Sequence, residues 1–164
     1  MEIFEQHLGA TYQQMRIIQQ LSYRPVQAYQ GAYSRINYGE HHGRNNVFPD
    51  GLKPIADAMA QAVPDQDFNA AFIQRYDVGD FVAPHRDPRT NTGYTLILVL
   101  GQFEGAISTI EGYEPFQLKQ TDMLKLECTI NGKQGPLHSV SPVTEGIRYA
   151  LILNTIIDYP PSRR

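Results

Sequence analysis

His85 and Asp87 are separated by a single residue in the segment Pro84-His85-Arg86-Asp87. On an extended backbone alternate side chains project from the same face, so this imidazole and this carboxylate can converge on one ion. They would supply two of the three ligands of a 2-His-1-carboxylate triad, the arrangement that holds non-haem Fe(II). The pair alone is a weak signal, because a triad also needs a second histidine from a distant part of the chain.

His138 is the histidine that could complete the triad. It lies late in the chain, among short β-prone runs, and paired strands bring such distant segments together. A single histidine in a loop is usually a surface or hydrogen-bonded residue. Its combination with His85-x-Asp87 nevertheless favours a metal ligand, so the three residues form our candidate catalytic and metal-binding set.

Arg148 follows ten residues after His138, inside the apolar segment Ile147–Leu153. These neighbours predict burial, and a buried guanidinium needs an anionic partner. Its planar fork suits a carboxylate in two-point contact. One interpretation is a structural ion pair with an aspartate or glutamate of this chain. The other, which we prefer given the spacing from His138, is a clamp for one carboxylate of 2-oxoglutarate whose other end chelates the iron.

The elements that would position these residues change character along the chain. Residues from about Phe4 to Leu21 have the apolar spacing of an amphipathic helix, and Asp50 is expected to cap a second helix that Pro64 ends. The part after residue 68 consists of short β-prone runs at close spacing, which is typical of an antiparallel sandwich or barrel. These runs are predicted at residues 71–76, 94–100, 106–110, 115–118, 123–127, 137–140 and 147–156.

The predicted fold is therefore α+β, with a double-stranded β-helix (jelly-roll, cupin-like) core and N-terminal helices packed on one sheet. We expect one domain over residues 1–164, with a helical and substrate-recognition front end in 1–68 and the catalytic core in 69–157.

Composition narrows the class of protein. The chain has 164 residues, 41% of them hydrophobic, and a formal net charge of -3, which gives no general attraction to nucleic acid. Its one cysteine, Cys128, excludes an intramolecular disulfide framework. The first residues lack the pattern of a signal peptide, and no apolar run could span a bilayer, so we expect a cytoplasmic protein without membrane contact.

The order His85-x-Asp87, His138, Arg148 resembles the Fe(II)- and 2-oxoglutarate-dependent dioxygenase superfamily. Within it the chain is most similar to the AlkB-type branch. That likeness rests on Phe68-Asn69, Arg75-Tyr76, Gly79, the nine-residue step from Tyr76 to His85, and Arg148-Tyr149-Ala150-Leu151.

The resemblance implies the cofactor Fe(II), the cosubstrate 2-oxoglutarate and the oxidant O2, with release of succinate and CO2. It implies that Tyr76 and Arg148 contact 2-oxoglutarate. Gln74 stands where that branch has an asparagine, and Asn154 stands where it has a second cosubstrate-binding arginine. A single arginine is a pattern also seen in the prolyl-hydroxylase-like branch, so both branches stay open.

The substrate is expected to be a peptide, a protein or a small molecule, which would be hydroxylated or oxidatively demethylated. An AlkB-like demethylase of modified nucleic acid is the alternative with the same chemistry. A cupin module that binds metal without catalysis is the alternative from another class. Candidate substrate contacts lie in the Tyr-rich segment before the core and beside the metal motif, where plain loops and salt bridges are equally reasonable interpretations: Arg35, Tyr38, His42 and Arg86.

Overall fold

The computed structural model describes residues 1–28, 31–39, 46–130 and 132–157. These residues form two α-helices, one turn of 3-10 helix (Asp50–Leu52) and fifteen strands. The helices are α1 (Tyr12–Gln20) and α2 (Lys53–Ala60). The strands are β1 (Glu2–Phe4), β2 (Arg24–Ala28), β3 (Gly31–Tyr38), β4 (Ala70–Tyr76), β5 (Phe81–His85), β6 (Asn91–Leu100), β7 (Phe103–Gly105), β8 (Ile107–Ile110), β9 (Phe116–Gln117), β10 (Met123–Glu127), β11 (Thr129–Ile130), β12 (Lys133–Gln134), β13 (His138–Val140), β14 (Val143–Gly146) and β15 (Arg148–Ile156).

The first helix begins later than its apolar spacing predicted. A capping box sets its start. The backbone N–H of Gln14 donates to the Thr11 hydroxyl at 3.1 Å, and the backbone N–H of Thr11 donates to the side-chain oxygen of Gln14 at 2.8 Å. Together these bonds satisfy backbone donors that a helix start leaves unpaired. The residues ahead of the box pair as β1 with β10, so the prediction of helix from Phe4 was wrong at this end.

The second helix also starts differently. Asp50 does not cap it, because residues 50–52 form a 3-10 turn and the Asp50 carboxylate instead pairs with Lys53 at 2.8 Å. Pro54 lies in the first turn of α2, where a missing backbone donor costs nothing. The helix ends at Ala60, before the predicted stop at Pro64.

Most strands belong to one mainly antiparallel sheet, in the order β1-β10-β6-β15-β4-β3-β5-β13-β8-β9, with β2 added beside β3. All seven predicted β-runs contain a strand, with boundaries within a few residues. The segment 1–68, predicted as a helical front end, also supplies three strands, and β3 lies at the centre of the sheet.

Side chains of the central strands alternate between two apolar clusters. One cluster contains Ile18 of α1, Met59 of α2 and, from the strands, Ile73, Leu98 and Leu151. The other contains the intervening residues on the opposite face, among them Phe72, Tyr76, Ala150 and Ile152. One face of β4 and β15 therefore joins the helix-containing core, while the other face is free to line a cavity.

No helix within the described residues is both long enough and apolar enough to cross a membrane.

Candidate metal centre and carboxylate pocket

The structure brings His85, Asp87 and His138 together. One potential ligand atom from each lies within 4.8 Å of the others. The Asp87 Oδ1 atom is 3.8 Å from His85 Nε2 and 3.5 Å from His138 Nε2. The convergence follows from topology: His85 ends β5, Asp87 follows two residues later, and β13 pairs with β5 so that His138 lies directly opposite His85.

Backbone carbonyls orient both imidazole rings in the same way. His85 Nδ1 lies 2.8 Å from the carbonyl oxygen of Ala83, and His138 Nδ1 lies 2.9 Å from that of Pro136. A carbonyl only accepts hydrogen bonds, so each Nδ1 carries the proton and each Nε2 presents a lone pair toward Asp87. This is how outer contacts prepare histidines for metal binding.

Burial in this site lowers the pKa of His85, and the nearby His138 acts in the same direction. The bond to Ala83 and the charge of Asp87 oppose this shift. The net effect favours the neutral imidazole, which is the form that binds a metal.

Arg86, which lies between His85 and Asp87, connects this segment to the loop that precedes His138. Its guanidinium forms an ion pair with Glu111 at 2.8 Å and donates to the carbonyl of Gly135 at 2.8 Å. Glu111 in turn accepts from the backbone amide of Leu137 at 3.0 Å. The Gln134 side chain donates to the Asp87 carbonyl at 2.8 Å, so the loop is fixed to the metal motif at several points.

Beside the triad lies a cavity of about 500 Å³. Its wall includes all three triad residues and one face of β15. The β15 residues on this wall alternate along the strand: Arg148, Ala150, Ile152, Asn154 and Ile156. The cavity therefore connects the metal motif with the predicted carboxylate clamp.

Arg148 is the buried cation of this cavity. It is 3% exposed, and in the described part of the chain its Nε atom has no hydrogen-bond partner and no carboxylate forms an ion pair with it. Its guanidinium lies 4.9 Å above the ring of Tyr76, its direct partner across β4 and β15. Burial lowers the pKa of Arg148 because desolvation penalises its charged form. An incoming carboxylate would offset that penalty.

The other predicted cosubstrate residues line the same cavity as Arg148. The Tyr76 hydroxyl donates to the side-chain oxygen of Gln74, and burial raises the pKa of Tyr76, so the phenol stays a neutral donor. Asn154 is buried on the cavity wall, and its Oδ1 atom has no partner among the described residues. All four side chains therefore face the space in which a small ligand would lie.

The residues present fit both a divalent metal and a dicarboxylate. Two neutral imidazoles and one carboxylate are the donor set that suits non-haem iron. A buried guanidinium without an anionic partner is costly unless a ligand supplies one, and an unpartnered amide oxygen lies in the same cavity.

The predicted substrate residues that the structure describes do not lie together. Arg35 lines the cavity, whereas Tyr38 lies in the helix-containing core, because the two are an odd number of residues apart on β3 and face opposite ways. The Arg86 side chain is held by Glu111 and Gly135 and is not part of the cavity wall. His42 lies outside the described residues.

Several wall residues were not predicted from the sequence as site residues. Phe72 precedes Gln74 by two residues on the same strand face, and Thr95 and Ile97 form the matching face of β6. Counting back in steps of two from Tyr76 and Gln74 would have found Phe72. Thr95 and Ile97 required knowledge of which face of β6 meets the cavity.

Several solved structures have a fold similar to that of this chain. An oxidoreductase of the 2OG-Fe(II) oxygenase family from Burkholderia pseudomallei superposes with a TM-score of 0.63 at 16% identity, covering 91% of this chain and 83% of that one. A prolyl hydroxylase from Trichoplax adhaerens, in complex with a hypoxia inducible factor peptide fragment, superposes at 0.68 with 12% identity, covering 94% and 82%. A viral collagen prolyl hydroxylase from Paramecium Bursaria Chlorella virus-1 superposes at 0.55 with 12% identity, covering 84% and 97%.

These similarities confirm the predicted jelly-roll core. No family model and no curated protein sequence matches the chain. The likeness to the AlkB-type branch stays a prediction from the sequence.

Proposed function

We propose that this protein is an Fe(II)- and 2-oxoglutarate-dependent oxygenase that hydroxylates or oxidatively demethylates its substrate. One observation carries the proposal: a single cavity joins a His85-Asp87-His138 cluster to the buried guanidinium of Arg148, which forms no ion pair with the residues that the structure describes. A metal alone would not require that cation. A ligand with a carboxylate and metal-binding oxygens accounts for both ends of the cavity.

The protein's own residues have distinct roles in this proposal. His85, Asp87 and His138 hold the metal, and the carbonyls of Ala83 and Pro136 keep the two imidazoles in the tautomer that binds it. When bound, the iron supplies the oxidative chemistry that couples decarboxylation of 2-oxoglutarate to oxidation of a C–H bond.

At the other end of the cavity, Arg148 binds a carboxylate of 2-oxoglutarate in two-point contact. The neutral Tyr76 hydroxyl, which donates to Gln74 in this structure, would exchange that bond for one to the ligand. Gln74, two residues before Tyr76 on β4, and Asn154, six residues after Arg148 on β15, present amide groups to the same cavity. Phe72 and Ile152 add apolar surface to the cavity wall, and polar contacts are stronger in such an apolar environment than in water.

The substrate we propose is a peptide or a small molecule. Two of the similar structures are prolyl hydroxylases, and one of them holds a peptide fragment. The formal net charge of -3 agrees with a partner other than nucleic acid.

Anaerobic absorbance titration tests the proposal. Fe(II) added with 2-oxoglutarate should produce a metal-to-ligand charge-transfer band that neither component produces alone. Admission of O2 should then yield succinate. A protein that binds the metal but shows neither signal would be a metal-binding module without this activity, and the proposal would be wrong.

A further inference from the structure

Arg35 is a second guanidinium on the wall of the same cavity. It lies on β3 directly opposite Gln74 of β4, so it faces the side on which Gln74 and Tyr76 lie. Its guanidinium carbon is 5.2 Å from the centre of the Phe72 ring. The side chain is half-buried, which places the charge at the cavity wall and not in bulk solvent.

No carboxylate neutralises Arg35 within residues 1–28, 31–39, 46–130 and 132–157, where the ion pairs involve other basic residues. Asp87 is the one acidic residue on the described cavity wall, and it belongs to the metal cluster. The cation therefore faces the cavity without an anion from the residues that the structure describes.

With a divalent metal and 2-oxoglutarate bound, the charges in the cavity balance except for that of Arg35. Asp87 offsets one charge of a divalent metal. The dianion 2-oxoglutarate offsets the other and the charge of Arg148. The charge that remains is that of Arg35, and a half-buried guanidinium beside an aromatic ring favours a planar anion in two-point contact. One charge matches a carboxylate better than a phosphate monoester, which carries up to two.

We propose that Arg35 binds a carboxylate of the substrate and so selects substrates that carry one. The carboxylate could belong to a free organic acid such as an amino acid, or to an acidic side chain of a peptide. This inference rests on the proposed function, because it assumes that 2-oxoglutarate occupies Arg148.

The test uses the anaerobic complex of the full chain with Fe(II) and 2-oxoglutarate. Its charge-transfer band is followed while matched probes are added at up to millimolar concentration. One arm compares N-acetyl amino acids with their primary amides. The other compares short amidated peptides containing glutamate with the same peptides containing glutamine. We expect acids to bind about tenfold to hundredfold more tightly than their amides in at least one arm, as a charge-assisted contact would give.

Variants assign this preference to Arg35. Arg35→Gln should abolish the difference between acid and amide, and Arg35→Lys should retain part of it, because lysine keeps the charge but loses the planar fork. Arg75→Gln is the matched control. Arg75 lies on the adjacent strand, next to Gln74, and its guanidinium pairs with Asp77 outside the cavity. That variant should keep the preference, and circular dichroism checks that each variant is folded.

Several results would overturn the inference. These are equal binding of acids and amides by the wild type, no binding of any acid probe, or a preference that survives in Arg35→Gln. A loss of 2-oxoglutarate affinity in Arg35→Gln as large as that in Arg148→Gln would make Arg35 a cosubstrate ligand instead. Failure of the proposed function is seen separately, since the wild type would then show no charge-transfer band before any probe is added.

Discussion

His85 and His138 lie directly opposite each other on β5 and β13, with ring centroids 4.3 Å apart and each Nδ1 facing the carbonyl of the residue two positions earlier. Both rings therefore present the same nitrogen to one point. Two strands that pair in this way supply two of the three potential ligands of the candidate metal centre, and Asp87 supplies the third.

Replacing His138 with alanine should weaken metal binding about hundredfold or more, because loss of an outer contact alone typically costs ten- to hundredfold. Isothermal titration with Co(II) measures the affinity. His7→Ala is the control, since His7 is exposed and outside the cluster. Equal affinities of the two variants would contradict the assignment of His138 as a ligand.

The Arg148→Met variant should lose affinity for 2-oxoglutarate by about hundredfold or more while keeping its affinity for the metal. The same substitution should raise the free energy of unfolding of the metal-free protein by about 1–3 kcal/mol, because it removes a buried charge that has no anionic partner among the described residues. Urea unfolding measures the second effect. A loss of stability in Arg148→Met relative to Arg75→Met would mean that the protein itself satisfies Arg148.

Arg86→Gln should weaken Co(II) binding about tenfold without removing a ligand, since Arg86 and Glu111 hold the loop that carries His138. Glu111→Gln should have a similar effect. The double variant should bind Co(II) as Arg86→Gln does, because both changes break the same ion pair and glutamine at position 111 can still accept from Leu137. Lys53→Gln removes the exposed ion pair with Asp50, outside the cluster, and serves as the control. Additive losses in the double variant would show that the two side chains act independently.

Cys128 should resist iodoacetamide at pH 8 in the folded protein. Burial raises the pKa of its thiol to about 12, although the hydrogen bond with Thr95 opposes the shift. The reactive thiolate is thus nearly absent at pH 8, whereas an exposed thiol has a pKa of about 8.5. Mass spectrometry should show modification only after unfolding in urea. Rapid labelling of the native protein would contradict this burial.

The convergence of His85, Asp87 and His138 was predictable because His85 and Asp87 are two residues apart, and the spacing from His138 to Arg148 indicated which distant histidine could join them. Tyr38 could not be placed from composition. Whether it shares a face with Arg35 depends on the strand register of β3, where an odd separation sends the two side chains to opposite sides.

The start of the first helix could also have been predicted from a short segment, whereas the strand before it could not. Thr11 and Gln14 have the spacing of a capping box and could have located the start of α1. The three-residue strand β1 carries no periodic signal of its own, since it depends on its pairing with β10. Long-range pairing of this kind is not encoded in any short segment.

Alternate residues of β15 serve different purposes, one set facing the ligand cavity and the other facing the core. Arg148, Ala150, Ile152 and Asn154 meet the ligand cavity, whereas Tyr149, Leu151 and Leu153 meet the helix-containing core. Even-numbered positions can therefore diverge toward new ligands while odd-numbered positions keep the domain folded. A saturation scan of this strand should give two interleaved profiles, one read by ligand affinity and the other by protein abundance.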